Sequence, residues 1–281
     1  MHPNNPFVAD YNLDILTKVN SELEPHVFVN EYGNKTIKFA DKTAVKELNK
    51  ALLKQYYQLQ FWDIPENNLC PPIPGRLDYL LHANDLLTDK KEVSLLDIGT
   101  GANLIYPILG TCHFNWSCTA SEVDKESLTN AQALTDKNPV LNSINLRHQP
   151  FKNSILEHII QPDDFFDLVV CNPPFFKNSF DADQTNKRKI KNLKIDTDET
   201  LNFGGRSNEL WYKGGEEAFV KKMAEESANF KTQVGWFTSL VSQKEHLKNI
   251  KRAINKTQPA EVKIVDMEQG NKKSRFVAWR Y

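Results

Sequence analysis

The sequence predicts an α/β fold: a mostly parallel sheet with helices on both faces, preceded by a mostly helical N-terminal extension. Three observations carry this. From residue 93 onward, short apolar runs alternate with stretches of helical periodicity, the pattern of βαβ units. The first run closes on Asp97-Ile98-Gly99-Thr100-Gly101, a glycine turn of the kind that joins a strand to a helix. Phe166-Asp167-Leu168-Val169-Val170-Cys171 is a strongly apolar run of strand length.

Residues 1–40 are polar and turn-rich, with Pro3, Pro6, Pro25 and Gly33. Asp41 then caps a helix whose apolar positions Ala44, Val45, Leu48, Ala51, Leu52 and Tyr56 recur at helical spacing. Cys70-Pro71-Pro72-Ile73-Pro74-Gly75 reads as a rigid turn excluded from helix interior. A second amphipathic helix is expected from about Leu77 to Leu87. The chain therefore divides into an extension over 1–90 and an α/β domain over 91–281. Strands are expected over 93–97, 116–122, 144–148, 166–171, 233–239, 261–266 and 276–281. Helices are expected over 103–112, 125–137, 154–160, 215–229 and 244–255, the last of them basic. Gln269-Gly270-Asn271 makes the final hairpin turn.

Composition limits the function classes. The formal net charge is −1, so nucleic acid can be held only through a local basic patch. Cys70, Cys112, Cys118 and Cys171 form no CxxC pair, and no zinc or redox site is expected. No apolar run reaches the ~20 residues of a membrane span. Met1-His2-Pro3-Asn4-Asn5-Pro6 lacks a basic start and an apolar stretch, so no secretory signal is read and the cytoplasm is expected.

Three motifs carry chemistry, in the order a doubly wound sheet requires. Gly99 and Gly101 follow a strand, where such sheets bind ligands. A third glycine of the dinucleotide fingerprint is missing, because Leu104 stands in its place. Asp97 before the turn suits a cationic or hydroxyl-rich ligand better than a phosphate. Glu122 ends the second strand, about twenty residues beyond the glycines, where an acid can accept hydrogen bonds from ribose hydroxyls. Asp124 shares that face and equally suits a helix N-cap. The third motif, Asn172-Pro173-Pro174-Phe175, follows the apolar strand directly. The prolines hold the backbone extended. The amide of Asn172 and a fixed carbonyl offer two acceptors to the N–H bonds of an amino group, and Phe175 can stack on a base. An exocyclic amine is a poor nucleophile, so what this motif supplies is positioning and electrostatics. A fourth feature is basic: Lys187-Arg188-Lys189, Lys191 and Lys194, with Arg206, Lys272, Lys273 and Arg275 elsewhere. These residues either neutralise RNA phosphates or belong to a solvated loop.

Cys70 to Arg76, Leu96 to Ala102, Asn172 to Phe176, Gly204-Gly205, Glu209 to Trp211, Gly214 to Glu216 and Ser274 to Trp279 together resemble the RlmF family of bacterial 23S rRNA adenine-N6 methyltransferases. The likeness runs from about His2 to Trp279. The chain is also similar to the catalytic domain of the eukaryotic methyltransferase that modifies a small nuclear RNA. The resemblance implies a class I, Rossmann-like sheet of seven strands, an RNA-contacting N-terminal extension and S-adenosylmethionine as cofactor. It implies that Arg76 reaches the donor's carboxylate. Asp97, Gly99, Thr100 and Gly101 surround the donor and Glu122 holds its ribose. Asn172, Pro173 and Phe175 hold the adenine, with Pro174 completing the catalytic motif, Asn172 also contacting the donor and Phe176 contacting the RNA substrate. The implied partner is 23S rRNA or an assembling large subunit; a monomer is the default expectation, independent of the resemblance. A DNA adenine methyltransferase would use the same four-residue motif, and a protein-glutamine methyltransferase a related one with Tyr in place of Phe175.

Overall fold

The computed structural model describes residues 1–281 except 10, 67, 89, 177–210, 270 and 271, and the side chains of Gln269 and Lys272. The N-terminal part holds helix α1 (Leu13–Val19), a hairpin of β1 (Val27–Val29) and β2 (Lys35–Ile37), and helices α2 (Lys42–Tyr57) and α3 (Ile73–Asn84). Asp41 caps α2 as the sequence predicts, its carboxylate accepting from the backbone N–H groups of Thr43 and Ala44. α3 begins earlier than expected, at Ile73. Pro72 and Pro74 sit at its N-cap and first turn, where a missing N–H costs nothing, so the Pro-rich run starts the helix and does not merely precede it. The extreme N-terminus is pinned to α3. The His2 N–H donates to Asp78 Oδ1 at 2.7 Å, and the Asn5 amide donates to the Pro74 carbonyl at 3.0 Å.

The α/β part runs β3 (Ser94–Ile98), α4 (Ile105–Phe114), β4 (Ser117–Glu122), α5 (Lys125–Asp136), β5 (Asn145–His148), β6 (Phe166–Cys171), α6 (Gly215–Ser227), β7 (Val234–Leu240), α7 (Leu247–Lys256), β8 (Glu261–Gln269) and β9 (Lys272–Arg280). The seven strands form one sheet in the order β5-β4-β3-β6-β7-β9-β8. The first five pair in parallel; β9 joins β7, and β8 joins β9, in antiparallel fashion. The predicted class is therefore found, with the closing hairpin longer than its apolar residues suggested.

Alternate residues of the central strands feed two cores, the period-2 rule of a sheet covered on both faces. Leu95, Leu168 and Val170 pack with α2, α3 and α4. Leu96, Ile98, Val169 and Cys171 pack with α6 and α7. The expected helix over 154–160 is absent. The segment is a series of turns, with His158 at a φ of 69°, which a helix cannot accommodate. The buried carboxylate of Glu226 on α6 collects the backbone N–H groups of Ile155, Leu156 and Glu157 at 2.9, 2.7 and 3.2 Å. A charge-assisted clamp from a distant helix thus overrides the local periodicity.

Candidate active site

The strand order reverses at β3: β4 and β5 lie on one side, β6 and β7 on the other. The carboxyl ends of β3, β4 and β6 therefore face the crevice where open α/β sheets bind ligands. A cavity of about 330 Å³ occupies it, within the usual range of small-molecule sites.

At the end of β3, Gly99 and Gly101 have φ values of 73° and 63°. A Cβ built on Gly99 meets nothing within 4 Å, so the left-handed backbone and not crowding demands glycine there. The turn is tied to β4 by the N–H groups of Gly99 and Thr100, both donating to the Ser121 carbonyl at 3.0 and 2.9 Å. The Glu122 carboxylate accepts from the N–H groups of Gly101 at 2.8 Å, Val123 at 2.8 Å and Asp124 at 2.9 Å. These bonds fix its orientation at the cavity wall. Asp124 is the N-cap of α5 and accepts from Ser127, the role that suited it as the alternative acid.

Arg76, Gly99, Thr100, Gly101, Glu122, Asn172 and Pro174 all line the cavity. Arg76 donates to the Tyr106 hydroxyl at 2.9 Å. Asp97 lies just beneath, 1% exposed. Among the described residues neither of its carboxylate oxygens has a hydrogen-bond partner, and the same holds for Thr100 Oγ1 and Asn172 Oδ1. Orphaned buried polar atoms are rare in folded proteins, and of the nine among the described residues four belong to Asp97, Thr100 and Asn172, at or next to this cavity. Burial pushes the Asp97 carboxyl up to about 7; Thr100, beside it but outside hydrogen-bond geometry, lowers it, the Glu122 carboxylate raises it and the Arg76 guanidinium lowers it.

Other expected residues are placed differently. Pro173, Phe175 and Phe176 stand outside the cavity lining. Phe176 forms a bridge with Trp211, and its carbonyl accepts from the Tyr212 N–H at 3.0 Å. Lys273 is exposed and paired with Glu268 at 3.1 Å. The Arg275 side chain is 11% exposed; it reaches the Ser242 carbonyl at 3.3 Å and faces Asp266 at 3.6 Å. Lys187, Arg188, Lys189, Lys191, Lys194, Arg206 and the side chain of Lys272 lie outside the described residues. The cavity also takes in Gln149, Trp211, Tyr212 and Phe219, which sequence reasoning left out of the site. Gln149 was within reach, because it follows the carboxyl end of β5. Trp211 and Tyr212 come from the segment that leads into α6 and Phe219 from α6 itself, and none carries a local signal. Among the described residues one group brings three metal-capable side chains together, His2, His82 and Asp85. The Asn4 N–H donates to His2 Nδ1 at 3.2 Å, which in the neutral ring leaves the proton on Nε2, facing Asp85 at 3.2 Å. That arrangement ties the N-terminus to α3.

A family model described as RNA methyltransferase matches residues 1–281. The chain belongs to this family. It is 45% identical over 285 residues to the ribosomal RNA large subunit methyltransferase F of Christiangramia forsetii, covering all of both chains. It is 46% identical over 288 residues to the protein of that name from Pectobacterium carotovorum, covering 100% of this chain and 93% of the relative. Among solved structures, the hMettl16 catalytic domain in complex with the MAT2A 3'UTR hairpin 1 matches with a TM-score of 0.85 and 29% identity, over 100% of this chain and 95% of that one. The N-terminal domain of human METTL16 in complex with SAH matches with a TM-score of 0.80 and 26% identity, over 100% and 98%. The seven-stranded class I methyltransferase fold expected from the sequence is the fold these structures share with the chain.

Proposed function

We propose that the protein transfers a methyl group from S-adenosylmethionine to the exocyclic N6 of an adenine in 23S rRNA, as a monomer in the cytoplasm. The observation that carries this is a set of unpartnered polar atoms at one cavity: Thr100 and Asn172 in its lining, and Asp97, buried next to the lining residues in sequence. S-adenosylmethionine offers an ammonium, a carboxylate and ribose hydroxyls, and the donor set fits it. Arg76 meets the carboxylate, Asp97 the ammonium and Glu122 the ribose. Bound there, the donor supplies a methyl group made electrophilic by its sulfonium. The remaining acceptor, Asn172 Oδ1, and the carbonyl of Pro173, which stands between the lining residues Asn172 and Pro174 and not in the lining itself, take the two N–H bonds of the adenine amine. They draw its lone pair out of the ring and toward the donor, while Phe175 stacks on the base. The substrate assignment is supported by the full-length likeness to large-subunit rRNA methyltransferases. Residues 1–90 contribute an RNA-contacting surface, and the basic segment 187–194 contributes phosphate contacts.

The test is methyl transfer from labelled S-adenosylmethionine to protein-free 23S rRNA, purified ribosomal subunits, genomic DNA, an RNA hairpin and a protein lysate. Label in the rRNA or the subunits is expected. Label confined to DNA, the hairpin or protein would retain the donor site and overturn the substrate.

A further inference from the structure

α7 is amphipathic in an unusual way. Ile250, Ala253 and Ile254 are buried against the sheet. Lys248, Lys251, Arg252, Asn255 and Lys256 are exposed and line one open groove. Over Leu247–Lys256 there are four cations and no acid, in a chain whose net charge is −1. Among the described residues none of the four is in an ion pair, whereas Glu217, on the neighbouring helix, is engaged by Lys221 at 2.9 Å and Asn249 at 3.2 Å. The stripe follows i, i+3, i+4, i+8 spacing and extends about 12 Å along the helix.

The helix is also anchored to the catalytic rim. Glu216, fully buried at the start of α6, accepts from the Ser242 N–H at 2.7 Å and bonds His246 Nδ1 at 2.8 Å. Tyr212, Lys213 and Phe219, which flank Glu216 in sequence, line the cavity. The start of α7 is thus joined through one buried carboxylate to the segment that lines the cavity.

We propose that Lys248, Lys251, Arg252 and Lys256 hold the phosphate backbone of RNA flanking the target base, an inference that rests on the RNA-methylating reading above. Like-charged side chains held together on a folded surface repel one another, and a polyanion relieves that repulsion while releasing its counterions. RNA is the polyanion that this family brings to the neighbouring site.

The fourfold variant Lys248→Gln, Lys251→Gln, Arg252→Gln, Lys256→Gln keeps good helix formers on an exposed face. With protein-free 23S rRNA as probe, KM is expected to rise about tenfold or more with kcat unchanged. The slope of log affinity against log salt is expected to shrink by about 3, near 0.7 for each single-strand phosphate that the variant no longer neutralises. A Lys-to-Arg variant at 248, 251 and 256 should behave as wild type, and S-adenosylhomocysteine binding should not move in either. An unchanged KM and salt slope in the glutamine variant would overturn the proposal. So would loss of binding to phosphatidylglycerol vesicles with RNA binding intact, which would make α7 a membrane-surface helix. If wild-type protein methylates no rRNA yet the salt slope still falls in the variant, the substrate assignment fails and the α7 surface stands.

Discussion

At the scale of single residues, Asn172 and Asp97 allow the proposed binding of the donor to be tested separately from the proposed chemistry on the base. Asn172 Oδ1 is buried without a partner among the described residues, at the mouth of β6. Asn172→Ala is expected to cut kcat by about 100-fold or more, the scale of removing one preorganised polar group from a transition state. Isothermal titration with S-adenosylhomocysteine should show donor binding within about twofold of wild type. The proposed role of Asp97, holding the donor's ammonium, depends on its ionisation. With its carboxyl raised to about 7, it is half protonated at neutral pH, and an ammonium ligand binds only the ionised form. Donor affinity should therefore be about tenfold weaker at pH 6 than at pH 8, a dependence that Asp97→Asn flattens. The stability effect spans a lower and wider pH window, from the unfolded to the folded pKa. The folded state holds a proton that the unfolded chain has released, so Asp97 favours folding below the ordinary carboxylate range near about 4, and this contribution is lost as pH rises through 7. The melting temperature of ligand-free Asp97→Asn should exceed that of wild type by more at pH 8 than at pH 5.

At the scale of elements, buried carboxylates do the work that sequence patterns miss. Glu226 looks like an acid on a solvated helix face, yet it clamps the turns over 155–157, and Ser154 and Ile155 line the cavity. Glu226→Ala leaves three N–H groups without their acceptor. It should cost about 3 kcal/mol in urea denaturation and raise the donor's KM, with kcat less affected. β7 and β6 approach closely at Gly235, where a Cβ would stand 2.7 Å from the Asp167 carbonyl oxygen. Gly235→Ala should lose about 2 kcal/mol without changing donor affinity in the folded fraction. These elements also show where sequence reading succeeds. Gly99, Glu122 and Asn172 were legible because each ends a strand, and strand ends in a doubly wound sheet converge. Asp41 and Asp124 were legible as caps for a local reason. Tyr212 and Phe219 were not, because tertiary contacts bring them in: Tyr212 through its backbone bond to the Phe176 carbonyl, and Phe219 through α6. Arg76 came only through resemblance, since nothing local links the first turn of α3 to a ligand.

At the scale of the whole molecule, charge is distributed and not merely balanced. Thirty-five basic and thirty-six acidic residues nearly cancel, yet α7 gathers four exposed cations on one face. The alternation of strands and helices made the sheet and its two covered faces readable from apolar pattern alone. The path of an RNA across the surface was not readable, because it depends on which cations the fold leaves without acidic partners. The N-terminal part shares one continuous apolar core with the sheet, from Phe7 to Ala278. α3 thereby brings Arg76 to the same cavity as Glu122 and Asn172. A cavity so assembled should direct a methyl group to one atom of one base. Mass spectrometry of nucleosides decides this, on 23S rRNA or large subunits treated with the enzyme and trideuteromethyl S-adenosylmethionine. Deuterium is expected in N6-methyladenosine. Deuterium in a ring-nitrogen methyladenosine, a ribose methyl or another base, with none at N6, would contradict the assignment of Asn172 and its neighbours to the adenine amine.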